Sequence, residues 1–393
     1  MSGPLAGLKV LDFTSLLPGP FATMALSDLG ADVLRIISAS RPDLVGFLPP
    51  FLPGNDVSAA LAYLGRGKRC ISLNITRPQA VEIVQRLLSE YDIVVEQFRP
   101  GVMARYGLDY ESLRAANPSL IYCSITGYGQ TGAMKGKAGH DINYLARSGC
   151  LSYSGRLDGG PSLLGIQISD LAGGSLNAVI GILASVIRRD RTGLGQYIDV
   201  SMTDGMLALN AMTGAGFLVD GQEPRREGEI LNGGTLYDIY ETADGRYLSV
   251  GSVEPQFFVQ LCHAIGRDDL ADYGIAPPDV SGIKDEFRKT IKSKTLSEWQ
   301  EIFSPLDACV EPVLTLAEAF ADAHAVERGM VVEVDGPRET KVRQIASPIK
   351  FSESRQEYRS IGVIDGSGTK RILEDFGFTE DEISKFEQSG VLS

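Results

Sequence analysis

The N-terminal part of the chain repeats one pattern, in which a short apolar run alternates with a segment of helical periodicity. Residues 8–13 (LKVLDF), 31–37 (ADVLRII) and 92–98 (DIVVEQF) have the composition of buried strands, and amphipathic segments lie between them. Strands that alternate with helices form parallel sheets, because the helix carries the chain back across the sheet before the next strand begins. The sequence therefore predicts an α/β fold built on a parallel sheet.

The connections of this predicted sheet contain arginine and lysine but no standard phosphate-binding motif. The turn SLLPGP matches neither GxGxxG nor GxxxxGK, although a nucleotide-like ligand remains possible. Arg66, Lys68 and Arg69 stand in GRGKR, directly before a strand, where a solvated surface is the simpler alternative. Arg99 follows the strand at 92–98, and ligands of open α/β sheets bind beyond the carboxyl ends of the strands. The sequence thus predicts that Arg99 contacts a phosphate group.

Charge and cysteine content exclude several classes of function. The chain has 37 Lys and Arg against 50 Asp and Glu, a net charge of −13, which disfavours nucleic-acid binding. A polyanionic ligand would need a local group of cations. The five cysteines are scattered and form no CxxC pair, so neither a disulfide framework nor a metal site is expected. We expect a soluble cytoplasmic protein, without a signal peptide or an apolar run long enough to cross a membrane.

The composition changes near residue 220, and this suggests a second domain. A polar, glycine-rich stretch leads into two alternating strands around an Asp244-Gly245 turn, which predicts a β-hairpin. Most of the sequence from there to about 330 has helical patterns. Residues 331–393 are too few for a core of their own. The predicted domains are 1–220 (large), 225–330 (small, α+β) and 331–393, a return to the large domain.

The segment Gly139–Asp170 contains the residues best suited to proton transfer. His140 is one of only three histidines and follows a glycine-rich loop, and Asp170 stands before a long apolar helix. Both side chains can carry protons. The alternative is that both residues only cap helices, since this is a common role of Asp before a helix.

Motifs in a shared order along the whole chain carry a resemblance to a known family. They are LKVLDFTSLLPGPFATMALSDLGADVLRI, EQFRPGVMARYGLDYESL, YCSITGYGQTG, AGHDINYLARSG, GQYIDVSMTDG, YDIYETADGRYLSVGSVEPQFF, DACVEPVL and GTKRILEDFGF. In these the chain resembles the family III CoA-transferase (CaiB/BaiF) superfamily, and more closely its α-methylacyl-CoA racemase branch. The resemblance implies a Rossmann-like large domain, an interlocked homodimer, a CoA thioester as substrate, and no metal or redox cofactor.

The resemblance also implies roles for individual residues. Asp170 matches the carboxylate that is the covalent nucleophile of the transferases and a proton carrier in the racemases. His140 matches the second proton carrier, paired with Glu254 of the partner chain. By the same resemblance, the residues that bind CoA in the family correspond to four cations of this chain: Arg35, Lys68, Arg99 and Arg105. The chain departs from the family pattern at Gly65, where Asn is usual, and at Leu73-Asn74, where Leu-Asp is usual.

The chemistry of a thioester favours the racemase among these possibilities. The α-proton is weakly acidic, so its removal needs a nearby base and donors for the enolate oxygen, and inversion needs a proton returned to the opposite face. His140 and Asp170 would serve the two faces, and backbone N–H groups at the start of the Asp170 helix, beside Gly173 and Gly174, would bind the oxygen. We therefore predict 1,1-proton transfer on 2-methylacyl-CoA thioesters. The alternatives are an acyl-CoA:carboxylate CoA-transferase with Asp170 as nucleophile and a thioester-binding protein without turnover.

Overall fold

The computed structural model describes residues 3–54, 56–336, 340–362 and 365–392. The chain divides into two compact units. The first unit comprises Met1–Ser148, Gly165–Leu209 and Ala323–Ser393, and the second comprises Gly149–Leu164 and Asn210–Asp322. The domain boundaries given above stay predictions.

A six-stranded parallel sheet forms the centre of the first unit and confirms the predicted α/β fold. Its strands are β1 Lys9–Phe13, β2 Asp32–Ile37, β3 Arg69–Ser72, β4 Ile93–Glu96, β5 Ile121–Thr126 and β6 Gln196–Ser201. Their spatial order is β3-β2-β1-β4-β5-β6. The strand order thus reverses at β1, with β2 and β3 on one side of it and β4, β5 and β6 on the other. The loops after β1 and β4 therefore lead away in opposite directions and leave a crevice between them, which is where such sheets bind ligands.

Helices connect and cover the strands of the first unit. They are α1 Pro18–Asp28, α2 Ala59–Leu64, α3 Gln79–Leu87, α4 Val102–Arg105, α5 Tyr110–Arg114, α6 Asp141–Arg147, α7 Asn177–Thr192 and α8 Met202–Ala208. A π-helix, Ser169–Leu176, runs directly into α7. Proline at the start of α1 fits its preference for the first helical position, where no backbone N–H is required. Gly30, with φ +103°, turns the chain into β2.

Apolar side chains cover both faces of the sheet. On one face Leu11 and Leu34 pack with Ile83 of α3, and on the other Val10 and Val33 share a cluster with α1 and α7. This explains why the strands read as continuous apolar runs rather than as alternating patterns.

Two local predictions differ from the structure. The prolines and glycines of residues 40–64 predict a long loop, but Leu44–Phe47 is a 3-10 helix and Ala59–Leu64 is α2. The apolar run of residues 203–219 predicts one long helix, but α8 ends at Ala208 and a separate helix, α9 Thr213–Asp220, follows. The first prediction follows from the prolines and glycines of that segment and the second from its continuous apolar composition, and neither pattern marks these local boundaries.

The second unit contains a three-stranded antiparallel sheet and helices. After α9 its elements are β7 Asp238–Glu241, β8 Tyr247–Val250, α10 Pro255–Ala264, a 3-10 helix Asp268–Tyr273, α11 Val280–Ile291, α12 Leu296–Phe303, β9 Val310–Pro312 and α13 Leu316–Ala321. The predicted hairpin is confirmed, because β7 and β8 pair antiparallel around Gly245, whose φ is +71°. Phe258, Phe287 and Trp299 are buried in its core.

The C-terminal part of the chain returns to the first unit. It forms α14 Ala323–Glu327, β10 Val331–Asp335, β11 Lys341–Ile345, α15 Thr369–Asp375 and α16 Glu380–Ser389. Leu373, Ile383 and Phe386 pack into the same cluster as Leu34 and Ile83. Thr379 caps α16 through a reciprocal pair of hydrogen bonds with Glu382.

One continuous helical stretch, Ser169–Thr192, is long and apolar enough to cross a membrane by length and composition alone. The sequence-based expectation that no run reaches this length is wrong at this point. Ala178 and Ile182 of the same stretch are buried in the cluster that covers the sheet. One face of the stretch thus packs against the sheet, as in an amphipathic helix, and only 33% of its apolar window is buried.

Candidate active site

Asp170 is the second residue of the π-helix, and the N-cap of that helix is Ile168. The interpretation of Asp170 as an ordinary N-cap is therefore wrong. The helix continues without a break into α7, so its wider turn lies at the head of a long regular helix. Short π-helical segments of this kind are frequent at functional sites.

Gly173 and Gly174 allow α8 to approach the π-helix closely. A Cβ atom on Gly173 would lie 2.7 Å from the carbonyl oxygen of Met202, and one on Gly174 would lie 2.9 Å from Cγ of the same methionine. Both distances are shorter than side-chain contacts allow. In this structure the two glycines therefore serve packing against α8, which is a different role from the close approach to substrate suggested by the sequence.

The first amides of the π-helix are bound by a carboxylate within the protein. The backbone N–H groups of Ser169 and Asp170 donate to Oδ1 of Asp141 at N···O distances of 2.6 and 3.0 Å. The expectation that these groups would bind an enolate oxygen is therefore corrected. Asp141 was not predicted as a site residue, although its place directly after His140, in the first turn of a helix, could have indicated a capping carboxylate.

The environment of Asp170 favours the protonated carboxyl. Partial burial, together with the nearby charge of Asp141, raises the pKa of Asp170 from an ordinary 3.8 to about 7. At neutral pH the group is then present in both protonation states. A carboxyl group of this kind can accept a proton and return one without a large penalty in either direction.

His140 occupies the N-cap position of α6, as the capping alternative proposed. Its backbone N–H donates to Oδ1 of Asn143 at 3.0 Å, which fixes the main chain at this point. The residue as a whole is exposed. Its position therefore satisfies the capping alternative and leaves the residue accessible to a ligand.

Glu254 belongs to the second unit, where it is the exposed N-cap residue of α10. Its carbonyl oxygen accepts the N–H groups of Phe257 and Phe258 at 3.1 and 3.0 Å. The predicted pairing of Glu254 with His140 of another chain stays a prediction.

Lys68 is buried and its ammonium group is bound inside the protein. Nζ donates to Oδ2 of Asp12 at 3.1 Å, to Oγ1 of Thr23 at 2.6 Å and to the carbonyl oxygen of Pro20 at 2.9 Å. An ammonium has three donor protons. A phosphate contact by Lys68 therefore requires one of these bonds to be exchanged. Although burial opposes its ionisation, the pKa of Asp12 lies below its ordinary value, because Lys68 and Arg35 stabilise the carboxylate.

Arg35 is also almost wholly buried, yet it keeps one donor unused. Nη2 contacts Oδ2 of Asp43 at 2.5 Å and the carbonyl oxygen of Thr14 at 3.2 Å. Nη1 is buried and has no hydrogen-bond partner among the described residues. Arg66 is buried too, whereas Arg69 is exposed. The solvated-surface interpretation of GRGKR is therefore wrong for Arg66 and Lys68 and right for Arg69.

A cleft of about 620 Å³ opens at the carboxyl ends of β1, β2 and β4. Arg35 and the exposed Arg99 both line it, together with the loop after β1 and the residues after β3. Arg105, exposed at the end of α4, is outside the set of described residues that line this cleft. The structure thus brings two of the four predicted cations, Arg35 and Arg99, to one cavity.

Two residues at the end of β4 hold the turn that carries Arg99, and neither was predicted. Glu96 accepts the N–H of Phe98 at 2.7 Å, and Oε1 of Gln97 accepts the N–H of Gly19 at 2.9 Å. Burial raises the pKa of Glu96 to about 7. The signal in the sequence is a carboxylate at the end of an otherwise apolar strand, where a charged group needs a specific partner.

The loop after β1 links the cleft to the Asp170 segment. Thr14 to Leu16 line the cleft, and the hydroxyl of Ser175 in the π-helix donates to the carbonyl oxygen of Pro18 at 2.6 Å. The same hydroxyl lies 3.0 Å from the carbonyl oxygen of Asp170. A ligand held in the cleft and a group reacting at Asp170 would therefore contact one continuous piece of the first unit.

Comparison with characterised proteins finds two kinds of enzyme at similar distance. The chain is 35% identical to the α-methylacyl-CoA racemase of Homo sapiens over 390 residues, covering 99% of this chain and 97% of the relative. It is 37% identical to the succinyl-CoA:mesaconate CoA-transferase of Haloarcula marismortui over 369 residues, covering 90% of this chain and 91% of the relative. Identity alone therefore does not choose between the two reactions.

The fold and the family comparison agree. A crystal structure of a CaiB/BaiF family protein from Brucella suis superimposes with a TM-score of 0.84 at 30% sequence identity. The match covers 96% of this chain and 100% of that chain. The family model described as CoA-transferase family III matches residues 5–361. The resemblance stated from the sequence motifs is confirmed, and the chain belongs to CoA-transferase family III.

Proposed function

We propose that this protein is a racemase of 2-methylacyl-CoA thioesters that acts by 1,1-proton transfer at the α-carbon. The observation that carries the proposal is that one turn of α6 holds two groups able to carry protons: His140, its N-cap, and Asp170, whose amide donates to Asp141 and whose pKa is raised to about 7. A nucleophilic carboxylate works in its ionised form, whereas a proton carrier must populate both forms. Similarity to the human racemase along nearly the whole chain supports the same assignment.

In the proposed reaction one residue removes the α-proton and the other returns a proton to the opposite face. Neutral His140 takes the proton from one enantiomer, and an enolate forms on the thioester. Protonated Asp170 then donates to the other face, which leaves imidazolium and carboxylate. In the reverse direction the two roles exchange. Glu254 of the partner chain would orient the imidazole and stabilise its charged form.

The alternative is an acyl-CoA:carboxylate CoA-transferase, favoured by the 37% identity to the mesaconate enzyme. In that reaction Asp170 attacks the thioester carbonyl, and CoA then returns to an acid acceptor. Such an enzyme needs Asp170 as nucleophile but does not need an imidazole as a second proton carrier. His140, which lies next to Asp141 at the start of α6, would then have no catalytic role.

The two reactions differ in whether an acceptor acid is needed. A single enantiomer of a 2-methylacyl-CoA, incubated with the purified protein without any free carboxylic acid, should convert to a mixture of both epimers. Chiral chromatography of the hydrolysed acyl group measures this directly. Conversion that appears only when a carboxylic acid is added, with transfer of CoA to that acid, would support the transferase.

We further propose that the cleft at the end of β1, β2 and β4 binds CoA. Arg35 contributes its unused Nη1 donor, and Arg99 contributes an exposed guanidinium. Lys68 fixes the loop after β1 through Asp12 and Pro20 and reaches a phosphate only by giving up one of these bonds. Arg105 does not line the cleft, so it would contact only a part of CoA that extends out of the cleft.

Replacing Arg99 with Ala should weaken CoA binding by about 1.5–3 kcal/mol, because a charge-assisted hydrogen bond to phosphate is lost. Arg99 forms no ion pair among the described residues, so its removal leaves no buried partner behind. Isothermal titration calorimetry with CoA measures the change. Arg114→Ala is the matched control, since that arginine is exposed and pairs with Glu111. Equal affinities of the wild type and Arg99→Ala would place the phosphate site elsewhere.

We also propose a homodimer that covers the outer face of α7. Leu176, Ile180 and Ile187 share one face of this helical stretch, and Ile180 is 63% exposed. A row of large apolar side chains on a helix with so little burial is typical of a subunit interface. A second copy of this chain is the proposed occupant, as the family resemblance implies.

Light scattering at micromolar concentration should therefore report a dimer that does not dissociate on dilution without unfolding. Ile180→Arg should disrupt it, because a charge would be buried at the interface. Arg191→Glu, an exposed position near the end of the same helix, is the control and should leave the dimer intact. A compact, folded wild-type monomer would contradict the dimer and the assignment of Glu254 to the partner chain.

A further inference from the structure

Asp141 connects the two proposed proton carriers through the backbone. Its carboxylate oxygen Oδ1 accepts the N–H groups of Ser169 and Asp170 at 2.6 and 3.0 Å, across 28 and 29 residues of sequence. Hydrogen bonds from backbone amides to an ionised carboxylate are stronger than those between neutral groups. The main chain of Asp170 is therefore attached to the first turn of α6.

The same turn of α6 also fixes His140. The histidine is the N-cap residue, Asp141 is the first residue of the helix, and the side chain of Asn143 accepts the N–H of His140 at 3.0 Å. One helical turn thus holds the backbone of both residues. The main chains of His140 and Asp170 therefore share an attachment to the first turn of α6.

We propose that Asp141 is a positioning residue that fixes Asp170 relative to His140, so that the two groups keep their separation while the α-carbon inverts. The inference rests on the proposed racemase function. Asp141 does not touch the reacting atoms in this role, and it acts through the Asp170 amide. Positioning of this kind matters because proton transfer depends steeply on the distance between donor and acceptor.

Asp141 also acts on Asp170 through its charge. After burial, it is the second cause of the raised pKa of Asp170. The other acidic groups on elements that pack against the π-helix are Asp28 on α1, Asp190 on α7, Asp204 on α8 and Asp199 on β6. Tyr144 on α6 faces Asp170 as well, and the charge of Asp170 contributes to the raised pKa of that phenol. Loss of the Asp141 charge should therefore move the pKa of Asp170 toward its ordinary range.

Two substitutions separate the hydrogen bond from the charge. Asp141→Asn keeps an oxygen that can accept the two amides, whereas Asp141→Ala removes it. We measure exchange of the α-proton for deuterium with each enantiomer separately, since one enantiomer gives its proton to Asp170 and the other to His140. Asp141→Ala should slow exchange on the Asp170 side by roughly 10–100-fold and affect the His140 side less. Asp141→Asn should restore most of the rate.

Carbon-13 NMR of labelled aspartate provides a readout that does not depend on activity. The Asp170 carboxyl, assigned by its loss in Asp170→Asn, should titrate near pH 7 in the wild type and at lower pH in Asp141→Asn. Asp204→Asn is the control and should leave the Asp170 titration unchanged.

The outcomes distinguish this inference from the proposed function. A wild type that exchanges no α-proton would contradict the racemase, while the titration would still test the link between Asp141 and Asp170. An unchanged Asp170 midpoint in Asp141→Asn would overturn the link itself. Equal losses for both enantiomers in Asp141→Ala would reduce Asp141 to a structural role and overturn the positioning proposal. If Asp141→Ala fails to fold, the exchange rates and titration of Asp141→Asn decide, since full activity with an unshifted midpoint counts against the proposal.

Discussion

Replacing Asp170 with Asn should lower kcat/KM for racemisation by roughly 10²–10⁴-fold, the usual contribution of a positioned general acid or base. Asparagine has nearly the same shape but can neither take nor return a proton at neutral pH. Asp170 is outside the residues that line the cleft, so CoA binding should be unchanged. Epimer formation and CoA titration on the same preparation measure the two properties. A variant that retains the wild-type rate would remove Asp170 from the mechanism.

The pH dependence of the wild type should identify the same group. The pKa of Asp170 is about 7, so the carboxylate predominates above this value and the protonated acid below it. In the direction that uses Asp170 as base, kcat/KM should rise as the pH increases through about 7, because kcat/KM reports the titration of the free enzyme. In the direction that uses it as acid, this group makes kcat/KM fall over the same range. Both changes should disappear from the residual rate of Asp170→Asn, and their persistence there would assign them to another residue.

Replacing Arg66 with Met should lower the free energy of unfolding by about 3–5 kcal/mol, because it leaves a buried carboxylate without its partner. Arg66 is wholly buried, and it donates to the two carboxylate oxygens of Asp28 at 2.9 and 2.5 Å. It also donates to the carbonyl oxygen of Ile345 at 2.9 Å. Burial raises the pKa of Asp28, and the arginine opposes this effect. Methionine fills the volume but replaces none of these bonds.

Arg69→Met is the matched control for this substitution, since Arg69 belongs to the same GRGKR segment as Arg66. It pairs with Asp32 at 2.7 Å, but both side chains are partly exposed. The expected loss is therefore about 0–1 kcal/mol. Urea unfolding of both variants at equal protein concentration compares them. Equal losses in the two variants would show that burial does not determine the importance of these ion pairs.

The sheet could be predicted from the sequence, whereas the surroundings of its cations could not. Apolar runs and helical periodicity are local signals, so β1, β2 and β4 were placed correctly. The partners of Arg66 and Lys68 are Asp28 and Asp12, 38 and 56 residues away in the sequence. Three cations in five residues look like a solvated surface, but the fold pairs all three with carboxylates and buries two of them, Arg66 and Lys68.

The catalytic roles assigned from the sequence stay predictions, and the contacts that hold these residues could not be predicted from it. The resemblance identifies His140, Asp170 and Glu254 as candidates. The structure adds the hydrogen bonds that hold the backbone of His140 and Asp170. The role of Asp141 depends on a contact between two segments separated by a long loop, for which the sequence carries only the weak signal of an acidic residue in the first turn of a helix. The break between α8 and α9 coincides with the boundary between the two units at Leu209 and Asn210, which the apolar pattern does not mark.

The transferase alternative makes its own prediction for His140. A racemase with His140→Ala should lose the exchange served by the imidazole. A transferase that relies on Asp170 as nucleophile should keep much of its activity in the same variant. Asp170→Asn alone cannot separate the two reactions, because both need this carboxyl group.

The most direct test of the racemase is incorporation of deuterium at the α-carbon. One enantiomer of a 2-methylacyl-CoA is incubated with the protein in deuterium oxide without any carboxylic acid, and the acyl group is analysed by mass spectrometry and chiral chromatography. A racemase should give both epimers, with deuterium at Cα in the inverted product, since the proton returned to the new face comes from a residue in exchange with solvent. The contradictory result is absence of α-deuterium across a panel of 2-methylacyl thioesters, together with a covalent Asp170 adduct trapped by hydroxylamine during acid-dependent turnover.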